Sequence, residues 1–145
     1  KKLAEKQGLS VLMRSENRLV DQGCDVYVAD SIGELKMLYA AADLAFVGGS
    51  LVPIGGHNVL EPAAVGVPVL FGPQMFNFQE IAEQMLKAGA AVQCDDDLAI
   101  AKAVLQIHED LSFRQSLSSN AKSFVEQNQG ATARVAALLA QSLGA

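Results

Sequence analysis

Between Gly48 and Glu61 the chain reads Gly-Gly-Ser-Leu-Val-Pro-Ile-Gly-Gly-His-Asn-Val-Leu-Glu, with four glycines, Gly48, Gly49, Gly55 and Gly56, inside nine positions. Glycines let a backbone approach a ligand closely, and a helix start directly after them offers N–H groups and a positive dipole end to a phosphate. The same residues also serve a tight turn that needs positive φ, and glycine content does not choose between the two. No Gly-Lys-Ser/Thr follows, so this is neither a Walker loop nor a standard dinucleotide fingerprint. Ser50 sits inside the loop, and His57 could donate to a phosphate or a sugar carboxylate, or bond to loop backbone. Asn58 has the residue type of a helix cap, and Glu61 three positions on could cap it reciprocally or accept two ribose hydroxyls. Ser31 and Glu34 repeat that spacing and that ambiguity. The acidic run Asp95-Asp96-Asp97 reads as a solvated helix start rather than a metal site, His108 as exposed structure, and no nucleophile–base pair stands out.

Elements that alternate along the chain must position these residues. A polar, lysine-rich opening predicts a helix ended by Gly8, so the chain is expected to begin within a helix. Short apolar runs predict strands at Val11 to Met13, Asp25 to Ala29, Leu44 to Val47, Val67 to Phe71 and Ala90 to Gln93. Leu35, Leu38, Tyr39 and Ala42 share one helical face, and further helices are expected from Asn58, from Asn77 (capped by it, with Glu80 three on) to about Lys87, and over Leu98 to His108, Phe113 to Gln127 and Ala131 to Leu143. Continuously apolar strands alternating with helices predict an α/β fold, a doubly wound, Rossmann-like parallel sheet. Ligands of such sheets sit beyond the carboxyl ends of the strands, here the loops at 30–34, 48–58 and 72–77.

At 145 residues, 50% hydrophobic and 19% charged, the chain has material for one buried core. A net charge of −5, with no basic cluster, argues against a nucleic-acid partner. Cys24 and Cys94 lie too far apart for a redox or zinc motif and read as free thiols of a cytosolic, soluble chain. No signal peptide and no run of about 18 apolar residues is present in the sequence.

The stretch DSIGELKMLYAAADLAFVGGSLVPIGGHNVLEPAAVGVPVLFGPQMFNF resembles the C-terminal domain of bacterial Kdo (3-deoxy-D-manno-octulosonic acid) transferases. Their pattern runs from Asp-Ser/Thr-x-Gly-Glu-Leu through Phe-Val-Gly-Gly-Ser and Gly-Gly-His-Asn to Gly-Pro and Asn-Phe. The resemblance covers roughly residues 9–130 and is dense at 30–78. It implies a GT-B glycosyltransferase: CMP-Kdo as donor, a lipid A precursor as acceptor, transfer with inversion, no cofactor and no metal. It also implies Ile32, Gly33 and Glu34 near the cytosine, Asn58 near the phosphate and Glu61 on the ribose hydroxyls. Gly48, Gly49, Ser50, Gly55, Gly56 and His57 would shape the wall facing the donor sugar.

Val59 stands where relatives carry Pro, and Pro62 where they have Ala, and either arrangement still starts a helix. Relatives also have an upstream His-Pro-x-Arg segment and an N-terminal domain with the acceptor site, the catalytic carboxylate and most of the membrane association at the cytoplasmic face of the inner membrane. Residues 1–145 are therefore expected to be a partial donor-binding domain with no catalytic residue of its own and no transferase activity alone. Leu138, Leu139 and Leu143 are expected on a final helix that crosses back to the N-terminal domain. Two other readings compete: the donor domain of a UDP-sugar GT-B enzyme, and a non-catalytic α/β module.

Overall fold

The structure, a computed structural model, describes residues 1–129. The helix expected at Ala131 to Leu143, with Leu138, Leu139 and Leu143, lies outside the described residues. The chain divides into two compact units, Lys1–Leu35 and Lys36–Ala145.

In the first unit a short helix α1 (Lys2–Lys6) leads through Gly8, at φ 79°, into strand β1 (Val11–Met13). One 3-10 turn, Arg14–Glu16, follows and closes on Asn17 in the left-handed region, before strand β2 (Val26–Val28). β1 and β2 pair in parallel, Val11 opposite Val26 and Met13 opposite Val28. Ser10 and Asp25 lock the start of that pair. The Ser10 amide donates to Asp25 Oδ2 at 2.8 Å, and the Asp25 amide donates to Ser10 Oγ at 2.8 Å. Only Leu12 of this unit is a buried core residue, so polar pairs carry much of its definition.

Helix α2 (Leu35–Ala40) starts on the last residue of the first unit, and its other residues belong to the second. Strand β3 (Ala45–Val47), helix α3 (Leu60–Ala64), strand β4 (Val69–Phe71), helix α4 (Gln79–Lys87), strand β5 (Ala91–Gln93) and helices α5 (Asp97–Glu109) and α6 (Leu111–Asn128) follow. The strands form a parallel sheet in the order β3-β4-β5, with Ala45 level with Val69 and Val69 with Ala91.

β4 is central and buried along its whole length because helices cover both faces. Successive strand side chains point to opposite sides. Val69 and Phe71 accordingly join Val59 and Ala63 of the α3 region, Ala82 and Met85 of α4, and Ala121 and Phe124 of α6. Leu70 joins Cys94, Ala103 and Ile107 of α5, and Leu117. The parallel α/β arrangement is the one the apolar runs predict. Each fully buried large side chain, such as Leu70, Phe71 or Met85, contributes roughly 1.5–3 kcal/mol relative to exposure. Burial also pushes the Cys94 thiol up, with Asp95 and Asp96 adding to it, which makes it an inert core group.

The acidic run after β5 is a helix start. Asp96 Oδ1 accepts the Ala99 amide at 2.7 Å, and Asp110 repeats the device with Phe113 at 2.9 Å, which breaks α5 from α6.

Candidate functional site

The parallel sheet of the second unit directs the carboxyl ends of β3 and β4 the same way, and the loops after them are joined by hydrogen bonds. The Gln74 amide donates to the Ser50 carbonyl at 2.8 Å and the Asn77 amide to the Gly55 carbonyl at 3.2 Å. The Asn77 side-chain amide reaches the Ile54 carbonyl at 3.2 Å. Within the glycine loop itself, the Gly56 amide donates to the Gly49 carbonyl at 3.0 Å. The loop 48–58 is therefore preorganised by the loop 72–78.

Ser50 is the keystone of that arrangement. It is fully buried, its hydroxyl donates to the Val47 carbonyl at 2.5 Å, and it accepts the Gly72 amide at 2.8 Å. Its side chain thus faces inward and shapes the loop rather than offering a free hydroxyl. Gly72 has to be glycine, since a Cβ there would come within 2.6 Å of the Ser50 carbonyl carbon. Gly55 and Gly56 have positive φ, and a Cβ on Gly56 would overlap the Met75 sulfur. Gly48, by contrast, is exposed, and a Cβ there would meet nothing within 4 Å. The exposed His57 ring lies over Gly49, its Nε2 3.6 Å from where a Cβ would stand. Loop and ring together make a rim with open space at Gly48.

Just before α3, Asn58 Oδ1 accepts the Leu60 amide at 3.0 Å, while the N-cap position itself is Val59, which carries no side-chain cap. The expected reciprocal bond from Glu61 to the Asn58 backbone is replaced by a side-chain pair, Asn58 Nδ2 to Glu61 Oε1 at 3.1 Å. One carboxylate oxygen of the exposed Glu61 is thereby oriented. α3 has only five residues and the Leu60 amide is taken by Asn58, so helix dipole is a small part of any anion binding here. Tyr39 is held above the ordinary phenol range, first by burial and then by the Glu61 charge.

Two expected caps are corrected. Asn77 does not cap α4, whose start at Phe78 has no side-chain cap, because its amide is committed to Ile54 across 23 residues of sequence. Ser31 does not cap α2 either; its hydroxyl donates to the Glu34 carboxylate. Glu34, in the first unit, is gripped by Arg14: Nε lies 3.2 and 3.0 Å from its two oxygens, and Nη2 lies 2.9 Å from Oε1. Arg14 first and Ser31 second hold Glu34 below the usual carboxylate range. Asp30 is likewise held low, by the Ser15 hydroxyl at 2.6 Å and the Ser15 amide at 2.9 Å. Between these anchors Ile32 is wholly exposed, and Gly33 has φ 90° with nothing within 4 Å of a Cβ.

The structure thus gathers Gly48, Gly49, Ser50, Gly55, Gly56, His57, Asn58 and Glu61 around the ends of β3 and β4. Ile32, Gly33 and Glu34 belong to the loop after β2 in the first unit. Sequence reasoning missed Arg14, Gly72 and Gln74 as partners of these loops, and gave Asn77 a different role. The carboxyl end of the expected strand, and the Gly-Pro and Asn-Phe of the resemblance, pointed at the second loop but not at these partners.

Residues 8–124 match the family model described as "Glycosyl transferases group 1". The chain belongs to that family. Among proteins similar to this group 1 glycosyltransferase chain is the 3-deoxy-D-manno-octulosonic acid transferase of Bordetella pertussis, 39% identical over 120 residues, which are 83% of this chain and 28% of that protein. The enzyme of the same description from Haemophilus influenzae is 36% identical over 138 residues, 94% of this chain and 32% of that protein. The chain therefore spans about a third of the length of these relatives. A solved structure described as the C-terminal CMP-Kdo binding domain of WaaA from Acinetobacter baumannii aligns with a TM-score of 0.82 at 33% identity, covering 86% of this chain and 65% of that one. Among the described residues no helix is long and apolar enough to cross a membrane.

Proposed function

We propose that this chain is the donor-binding domain of a Kdo transferase: it holds CMP-Kdo while Kdo passes, with inversion, to a lipid A precursor in lipopolysaccharide synthesis. The observation that carries the proposal is the likeness, over 86% of the chain, to a domain described as binding CMP-Kdo. The site geometry supports it. A rigid glycine rim with open space at Gly48 suits a sugar, and the exposed Glu61 carboxylate, with one oxygen turned by Asn58, suits ribose hydroxyls. In this reading Asn58 is assigned to the phosphate and Ile32, Gly33 and Glu34 of the first unit to the cytosine, while the exposed Gly48 and His57 are assigned to the donor sugar and the buried Ser50, Gly55 and Gly56 shape the loop behind them.

In the transfer, the acceptor hydroxyl oxygen attacks the anomeric carbon of Kdo as the bond from that carbon to the phosphate oxygen breaks. CMP leaves with the bonding electron pair, and a base takes the hydroxyl proton. This chain's residues orient the donor and hold the departing phosphate; acceptor, base and attachment to the cytoplasmic face of the inner membrane belong to parts of the relatives beyond the matched third. Donor binding without transfer is thus the activity proposed for the 145 residues alone.

Ligand-observed NMR with CMP, UMP and AMP tests this. CMP is expected to bind selectively, and Glu61→Ala to weaken it at least roughly tenfold through loss of charge-assisted bonds. The variant's stability should stay within about 0.5 kcal/mol of the original, since Glu61 is exposed. Preference for UMP would move the assignment to a UDP-sugar enzyme. Unchanged binding in a folded Glu61→Ala would point to a non-catalytic module.

A further inference from the structure

The loop after β2 has an unusual construction for so exposed a segment. Both of its ends are pinned to the turn after β1, Asp30 by Ser15 and Glu34 by the fork of Arg14. Arg14 is itself braced, its Nη1 donating to Asn17 Oδ1 at 3.0 Å, with Asn17 in the left-handed conformation that closes the turn. The tip between the pins, Ile32-Gly33, packs on nothing: Ile32 is wholly exposed and Gly33 faces open space. An exposed aliphatic tip gains nothing from being held still unless the holding serves something else, because ordering a backbone costs conformational entropy. This loop also lies at the carboxyl end of a parallel strand, where ligands of such sheets bind.

We infer that Arg14 is a positioning residue for base selectivity, fixing Glu34 and with it the direction in which the Ile32-Gly33 backbone meets a pyrimidine edge. The inference rests on the donor reading above. Cytosine and uracil differ at that edge by an exchange of donor and acceptor: cytosine offers an amino donor beside a ring-nitrogen acceptor, uracil a carbonyl acceptor beside an N–H donor. A backbone carbonyl and amide can tell them apart only if they cannot swing, since a mobile loop turns whichever group fits. Glu34, with both oxygens bonded by Arg14 and one also by Ser31, acts on the base through the loop it holds rather than by direct contact. A lysine cannot reproduce the fork, being a point donor.

The test compares Arg14→Ala and Arg14→Lys with the unsubstituted chain, reading CMP and UMP affinities by NMR titration and amide hydrogen exchange at Ile32 and Gly33. The expected result is a CMP/UMP preference that collapses to within about twofold in Arg14→Ala, with CMP affinity falling about tenfold. It should recover in part in Arg14→Lys, and exchange at the tip should rise in the same order. If Arg14→Ala does not fold, Glu34→Gln carries the comparison, with the same collapse expected. A folded Arg14→Ala or Glu34→Gln that keeps the original CMP/UMP ratio overturns the inference and leaves the donor assignment standing. Absence of any CMP preference in the unsubstituted chain overturns both.

Discussion

Ser50, in the glycine loop, and Glu61, in the helix that follows it, sit eleven positions apart and do opposite work. Ser50 is sealed, its hydroxyl giving one hydrogen bond and taking another from the backbone of two different strands' ends. Replacing it by Ala strands the buried Gly72 amide and Val47 carbonyl, so Ser50→Ala should cost about 1–3 kcal/mol. A lowered urea midpoint with unchanged slope would check this, and an unmoved midpoint would refute the keystone role. Glu61 is exposed and accepts a hydrogen bond from Asn58, so its substitution belongs with ligand affinity rather than stability. Glycine identity along the loop divides the same way. Gly48→Ala adds a methyl to open space and should stay within about 0.5 kcal/mol of the original fold. Gly56→Ala combines a positive φ with collision on Met75 and should cost about 2 kcal/mol or more.

The elements that matter most are paired loops rather than helices. The loops after β3 and β4 are laced by Gln74, Asn77 and Gly72, and the turn after β1 is laced to the loop after β2 by Arg14 and Ser15. In each case parallel pairing brings two strand ends level, so side chains of one loop can satisfy the backbone or charge of the next. Asn77→Ala should therefore loosen the glycine loop at a distance, costing about 1 kcal/mol and raising amide exchange at Gly55 and Gly56. Were Asn77 a cap for α4, the exchange would instead rise in the first turn of that helix, and the two outcomes are separable residue by residue.

Across the whole molecule the two units differ in what holds them. The second has a two-sided apolar core, whereas the first has one buried core residue and a set of charged and hydroxyl pairs. Glu16, Asp25, Asp30 and Glu34, all within Lys1–Leu35, are held below the ordinary carboxylate range, by Lys1, Ser10, Ser15 and Arg14 respectively. A carboxylate whose folded pKa is depressed contributes stability that is present above its unfolded value and is lost as pH falls through the folded one. Acidification through and below the ordinary carboxylate range should thus loosen residues 1–35 while the sheet β3-β4-β5 persists. An NMR pH titration in which both units lose their dispersed signals together would contradict this division of labour.

What could be read in the sequence was whatever depends on near neighbours along the chain. Val67 to Phe71, flanked by Gly66 and by Gly72-Pro73, reads as a buried strand, and β4 occupies its last three residues, Val69–Phe71. The acidic run Asp95-Asp96-Asp97 reads as a helix start because a cap needs only the next three residues, and Asp96 is that cap. The residues at 30–78 also carried the family, since their order, unlike any one glycine turn, is specific. What only the tertiary structure decided was where polar side chains spend their bonds. Asn77 and Ser50 have plausible local partners, yet Asn77 serves Ile54 across 23 positions and Ser50 serves Gly72 across 22. Arg14 and Glu34, 20 apart, have no local sign of each other at all. Capping and periodicity are short-range effects written in spacing, whereas these pairs exist only once parallel register has placed one strand end beside another.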